Sequence, residues 1–173
     1  MNAHSPSICS STLKSLFSYK AWANVELFEA LSRIDAEAHL EQIRNAVRIL
    51  NHVYVVDRIF ECHLAGRAHG YSATNTEETP TVQALSAAVK ELDAWYLDYV
   101  ESLAPAAMAE RLSFEFTDGD MGRMSREEIL LHVVTHGAYH RGAAGQVMRA
   151  ALVAPPRGLY TRFLHATQPE RRH

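Results

Sequence analysis

The sequence is poor in the features that mark several large classes of protein. It has only two cysteines, Cys9 and Cys62, so no disulfide framework can form, and a reduced, cytoplasmic location is expected. Its apolar runs fall far short of the roughly 20 residues that a membrane-spanning helix needs, and residues 1–12 lack the apolar stretch of a signal peptide. The formal charge of −3 provides no basic field. We therefore expect neither a membrane nor a nucleic acid as partner.

Histidine is the residue that the chain has in quantity, with ten copies among 173 residues. It is the commonest metal ligand and the usual carrier of protons near neutral pH. Hydrophobic residues make up 47% of the chain and charged residues 21%, which is the composition of one globular domain. We expect that domain over residues 11–166, with a flexible N-terminus at 1–10 and a flexible tail at 167–173.

Four long stretches repeat their apolar residues at three- and four-residue steps, which is the period of an amphipathic helix. The third is expected to begin at Thr79-Pro80, because proline suits a first turn. Ser125 and Glu128 have the spacing of a capping box at the start of the fourth. Long helices with short connections predict an all-α protein built as a four-helix bundle. The predicted long helices cover residues 11–31, 38–65, 79–103 and 125–152, and a short terminal helix is expected over 159–166.

One segment between the third and fourth helices changes period. Leu112, Phe114 and Phe116 alternate with polar residues, which is the spacing of a strand. Asp118-Gly119 follows and favours a tight reversal. We therefore expect a short β-hairpin directly before the fourth long helix.

The fourth helix carries His132, His136 and His140, each one turn from the next. Because a helix advances about 100° per residue, the outer two lie roughly 80° apart, too far to share one small ion easily. His136 and His140 lie on the inward, apolar stripe, so this pair is the preferred metal-binding pair. His132 is then a neighbour of the site or an outer partner.

Two imidazoles make a weak site, so a third ligand is expected from another helix. His52 is the candidate, because apolar residues surround it at helical steps and direct its ring inward. His39 lies at the start of that helix, His63 nearly three turns beyond His52, and His69 in a polar loop. Three imidazoles with an open coordination position are typical of catalytic zinc sites. The spacing alone is equally compatible with hydrogen-bonded core histidines that hold no metal.

Three segments resemble the DinB/YfiT-like family, in the same order along the chain. They are residues 16–24 (LFSYKAWAN), Leu50-Asn51-His52-Val53 followed by Asp57, and residues 131–142 (LHVVTHGAYHRG), of which the last is the most specific. The similarity covers residues 13–149. It implies a four-helix bundle, commonly dimeric, that holds a divalent metal through three histidines, and these fall on His52, His136 and His140.

Four further residues are candidates for the surroundings of this site. Asn51 and Asp57 are candidates to orient a ligand imidazole, with surface exposure as the alternative. Tyr139 and Arg141 flank His140 and are candidates to line the mouth of the site, although a helix surface or an interface also suits Arg141.

The resemblance implies a metal-dependent hydrolase or a thiol-dependent transferase that acts on a small molecule, with a low-molecular-weight thiol as cosubstrate. Zinc or nickel is expected at the three imidazoles, and manganese and iron also suit such donors. The sequence identifies no catalytic base and no substrate. Two alternatives stay open: a non-enzymatic bundle with a structural or regulatory metal, and a metal-free dimeric interaction protein.

Overall fold

The computed structural model describes residues 10–172, and the expected flexible N-terminus lies outside this range except for Ser10. The described chain forms α1 (Ser10–Leu31), α2 (Leu40–Leu64), α3 (Val82–Ser102), α4 (Arg126–Ala150) and α5 (Tyr160–Thr167). Strands β1 (Arg111–Glu115) and β2 (Met121–Ser125) pair antiparallel before α4, and short 3-10 turns cover Pro105–Ala109 and Pro169–Arg171. The predicted helical fold, with a hairpin before the fourth long helix, is confirmed.

The four long helices pack in pairs, with α2 chiefly against α4 and α1 chiefly against α3. Apolar side chains fill the space between the pairs, and the Phe17 ring stacks on Tyr96 with ring centres 5.1 Å apart. The pairing of α2 with α4 places the middle of one helix beside the histidine-bearing part of the other. No helix within residues 10–172 is long and apolar enough to cross a membrane.

Side-chain caps fix where two of the long helices begin. Ser125 Oγ accepts a hydrogen bond from Glu128 N at 3.1 Å, and Glu128 Oε2 accepts one from Ser125 N at 2.6 Å. The predicted capping box at α4 is therefore confirmed. The predicted start of α3 at Thr79-Pro80 was wrong, because Thr81 accepts a hydrogen bond from Ala84 N and caps a helix that begins at Val82.

The hairpin brings two aromatic rings together over a glycine. Phe114 of β1 pairs with Gly122 of β2, and β1 ends one residue before Phe116. A Cβ on Gly122 would lie 2.5 Å from Phe114 Cε2 and 2.7 Å from Phe116 Cε2. Only glycine therefore leaves room for both rings at this position.

A buried cluster of charged and amide side chains joins the four long helices. Lys20 Nζ lies 2.5 Å from Asp93 Oδ1 and 3.0 Å from Asp57 Oδ2. Asn24 donates to Asp93 Oδ2 at 2.7 Å and accepts from Arg141 Nη1 at 3.2 Å. All five residues are buried. Each helix thus contributes at least one polar group to a single network, which fixes α4 relative to the other three.

Candidate metal centre

Three histidine rings from two helices converge where α2 packs on α4. The ring nitrogens available as ligands on His52, His136 and His140 all lie within 4.8 Å of one another. The Nε2 atoms of His52 and His136 are 3.1 Å apart. The ring centre of His140 lies 4.8 Å from that of His52 and 4.5 Å from that of His136. The structure therefore brings together the three residues that the sequence singled out as ligands.

The spacing and chemistry of these rings fit a divalent cation. Two nitrogens bound at about 2.0–2.1 Å to one ion, at octahedral or tetrahedral angles, are roughly 2.9–3.4 Å apart. The 3.1 Å between the Nε2 atoms of His52 and His136 falls in that range. Imidazole nitrogen is a donor that suits zinc, nickel, copper and iron. The residues present are therefore compatible with a resident metal ion.

A backbone carbonyl sets the orientation of the His52 ring. His52 Nδ1 lies 2.8 Å from the carbonyl oxygen of Thr74, in the loop between α2 and α3. Since a carbonyl only accepts, Nδ1 carries the proton, and the Nε2 lone pair is left facing the other two histidines. Thr74 was missed in the sequence, because it acts through its backbone and its side chain carries no signal.

Asn51 acts on this loop and not on an imidazole. Its Nδ2 donates to Asn75 Oδ1 and to Thr76 Oγ1, each at 2.6 Å, and the residue is buried. Asn75 in turn donates to the carbonyl oxygen of Arg48 at 3.0 Å. Asn51 therefore holds the two residues that follow Thr74, and through them the carbonyl that orients His52.

The local environment favours neutral imidazoles, the form that binds metals. Burial, with smaller effects of nearby His140, His132, His52 and Lys20, lowers the pKa of His136 to about 3. Burial, with a smaller effect of His52, also lowers the pKa of His140. These rings therefore keep their lone pairs at neutral pH.

His132 and Tyr139 each contact one of the ligand rings. The His132 ring stacks on His136, with centres 5.2 Å apart, and also contacts Phe60 at 5.0 Å. Burial lowers the pKa of His132. Tyr139 is 75% exposed and lies edge-on to His140, with ring centres 5.0 Å apart. His132 therefore packs against a ligand ring, whereas Tyr139 covers His140 from the solvent side.

Asp57 and Arg141 belong to the buried cluster of the bundle, and the side chain of each contacts α1. Arg141 is buried, its guanidinium lies 5.6 Å from the centre of the Tyr19 ring, and its hydrogen bond goes to Asn24. Burial raises the pKa of Asp57 to about 6, although Lys20 acts in the opposite direction. Burial lowers the pKa of Lys20, but the two carboxylates beside it outweigh this and leave it raised. Asp57 and Arg141 thus tie α2 and α4, respectively, to α1, and among the described residues neither is hydrogen-bonded to the three histidines.

A cavity of about 260 Å³ adjoins the histidines. His136 forms part of its wall, as does Thr74, whose carbonyl holds His52. The rest of the wall comes from α2, α4 and the hairpin, and no charged side chain of the described chain lines it. The other lining residues are Val56, Ile59, Phe60, His63, Phe116, Thr117, Met124 and His132.

Comparison with known proteins places this chain in a family. The DinB family model matches residues 9–172, nearly the whole chain. The chain belongs to the DinB family. Among its relatives, Protein DinB of Bacillus subtilis (strain 168) is 24% identical over 166 residues, which is 90% of this chain and 95% of that protein. A DinB-like protein from Bacillus cereus ATCC 10987 shares the fold, with a TM-score of 0.55 and 16% identity over 84% of this chain and 91% of that one. The family resemblance noted in the sequence is confirmed.

Proposed function

We propose that His52, His136 and His140 bind one divalent metal ion, and that this DinB-family protein is a metal-dependent hydrolase or a thiol-dependent transferase. The observation that carries the proposal is the convergence of three imidazoles from α2 and α4, with two Nε2 atoms 3.1 Å apart. A divalent ion held there would lower the pKa of a coordinated water or thiol and so make it a better nucleophile at neutral pH.

The surroundings of the three rings support a catalytic role over a structural one. Structural zinc sites are closed by four protein ligands, whereas catalytic sites keep a position open. The histidine group within residues 10–172 has three members, and a cavity large enough for a small molecule adjoins it. A substrate in that cavity would contact His136 directly.

The finer parts of the proposal follow from donor chemistry and family resemblance. Zinc or nickel is the proposed ion, with manganese or iron as the next candidates, since imidazole suits all four. A low-molecular-weight thiol is the proposed cosubstrate, a homodimer the proposed assembly, and the cytoplasm the proposed location. Light scattering of the purified protein tests the dimer.

Elemental analysis of untagged protein, purified without chelators, tests metal binding. We expect about one divalent metal ion per chain in the native protein and almost none in His136→Ala. His132→Ala is the matched control, because it removes a neighbouring imidazole of the same helix that stacks on His136. Native protein free of metal, or equal loss of metal in both variants, would overturn the proposal.

Removal of the metal separates the catalytic proposal from its alternatives. If chelated protein keeps its helical circular dichroism and the metal-loaded form shows thiol-dependent turnover in a screen of thiols, the enzyme is supported. Unfolding on chelation would favour a structural metal. A folded dimer that never holds metal would favour an interaction protein.

A further inference from the structure

We infer that the cavity beside the histidines binds an uncharged, apolar part of the substrate, and that hairpin residues Phe116, Thr117 and Met124 determine which compounds fit. The role of this binding in catalysis rests on the proposed metal function. The binding itself depends on the cavity and can be measured without metal.

The chemistry of the wall disfavours charged ligands. Val56, Ile59 and Phe60 present apolar surface from α2, while Phe116 and Met124 do so from the hairpin side. No Asp, Glu, Lys or Arg of the described residues lines the cavity. Away from the end at His136, an ion that entered would lose part of its hydration and find no opposite charge in the wall, which is unfavourable. A neutral compound does not pay this cost of lost hydration, and burial of its apolar surface stabilises the complex.

The cavity runs along α2 away from the metal ligands. Val56 and His63 both line it and are seven residues apart, which corresponds to about 10 Å along a helix. His136 and Thr74 mark the end at the histidines. A bound compound would therefore lie along α2, with its reactive end at His136 and its tail toward His63.

The far end offers one neutral polar group. The His63 ring stacks on Phe114, with centres 4.7 Å apart, and its Nε2 is buried with no hydrogen-bond partner among residues 10–172. A hydroxyl or carbonyl group on the tail of the compound would supply that partner. The expected ligand is thus mainly apolar but tolerates one uncharged polar atom.

The hairpin supplies one side of the cavity. A two-stranded hairpin has little stability of its own, and this one depends on packing against the bundle. Phe116 is 41% exposed and contacts Phe114 edge-on at 5.1 Å, so its ring forms part of the outer wall. Thr117 follows Phe116 in the chain and also lines the cavity, and these two residues form its rim. Changes at these positions alter the cavity without touching the helices that carry the histidines.

Calorimetric titration with three naphthalene probes tests the inference on the full chain as purified. The probes are 2-naphthalenemethanol, 2-naphthalenesulfonate and 2-naphthylmethylammonium, which share a ring system and differ in charge. We expect the neutral alcohol to bind about tenfold or more tightly than either ion, because only the ions lose hydration without a partner. Equal affinity for the three probes, or tightest binding of an ion, would overturn the inference.

Two hairpin variants show where the probe binds. Thr117→Trp fills the rim and is expected to weaken the alcohol about tenfold, whereas Thr161→Trp, at an exposed position of α5, is the matched control. Met124→Lys places a cation in the wall and is expected to reverse the preference toward the sulfonate. Unchanged binding in both hairpin variants, with folded protein by circular dichroism, would place the probe elsewhere and overturn the inference.

Metal content, measured in the same samples, separates this inference from the proposed function. Neutral-probe selectivity that survives dialysis against EDTA supports the cavity whatever the metal result. About one metal ion per chain together with no probe binding would overturn the cavity inference alone. Absence of metal would overturn the proposed function and leave the probe result to decide on the cavity.

Discussion

His52 donates the Nδ1 hydrogen to the carbonyl oxygen of Thr74 at 2.8 Å, so a loop between two helices orients a candidate metal ligand. Such outer hydrogen bonds fix which ring nitrogen is free for the metal and in which direction it points. The loop itself is held by Asn51, which donates to Asn75 and Thr76. The orientation of one ligand thus depends on a side chain whose hydrogen bonds go to the loop and not to a histidine.

Asn51→Ala is expected to weaken metal binding although it leaves all three ligands in place. Without its two hydrogen bonds the loop loses its anchor on α2, and the Thr74 carbonyl no longer holds His52. Loss of an outer partner costs about tenfold or more in metal affinity. Competition with a chromophoric chelator measures the affinity. Thr81→Ala removes the cap of α3 near the same loop and serves as control, since it leaves residues 74–76 untouched. Equal affinity of Asn51→Ala and the native protein would contradict the assigned role.

Lys20→Met is expected to destabilise the fold far more than the same change six residues earlier. Lys20 is buried between Asp57 and Asp93, so its loss leaves two buried carboxylates without the cation that pairs with them, at a cost of about 3–5 kcal/mol. Lys14 forms an exposed ion pair with Glu101, and Lys14→Met should cost less than about 1 kcal/mol. Urea unfolding gives both free energies. Similar values for the two variants would show that the buried cluster adds little to stability.

The sequence predicts those parts of the molecule that depend on local spacing. The periodic apolar residues gave the long helices, and the capping pair Ser125 and Glu128 marked the start of α4, because both signals act within a few residues. The four-residue step from His136 to His140 acts in the same way. Contacts set by tertiary packing carry no such signal.

The Thr74 carbonyl reaches His52 only through the path of a loop, and the sequence gives no sign of it. The partners of Lys20 are equally hidden, because they lie on two other helices. One sign was available: Lys20 lies three residues after Phe17 and four before Asn24, on the buried face of α1. A lysine there predicts a buried carboxylate partner, but it does not identify which one.

Between pH 4 and pH 6, the free energy of unfolding of the Asp57→Asn variant is expected to rise more steeply with pH than that of the native protein. Burial raises the pKa of Asp57 from 3.8 to about 6, so the folded state holds this proton more tightly than the unfolded chain does. The contribution of Asp57 to the free energy of unfolding therefore falls as the pH rises through that range. His136, with its pKa lowered to about 3, contributes in the opposite direction. The Asp57→Asn substitution removes the contribution of Asp57, which falls with pH, and leaves that of His136, which rises.

Urea unfolding of metal-free protein at several pH values measures this difference in slope. Asp98→Asn is the control, because Asp98 is exposed and lies on α3 outside the cluster. Its stability should follow that of the native protein across the range. An Asp57→Asn curve parallel to the native one would mean that the carboxyl titrates alike in the folded and unfolded states.

Two glycine-to-alanine changes should have opposite effects on stability, and only one should affect the cavity. A Cβ on Gly142 meets nothing within 4 Å, so Gly142→Ala should stabilise α4 by about 0.5–1 kcal/mol. At Gly122 the new carbon would collide with the Phe114 and Phe116 rings, so Gly122→Ala should destabilise the hairpin by about 1–3 kcal/mol. Because Phe116 lines the cavity, that variant should also bind 2-naphthalenemethanol more weakly. Urea unfolding and calorimetric titration check both effects, and native-like probe binding in Gly122→Ala would separate the hairpin rings from the cavity.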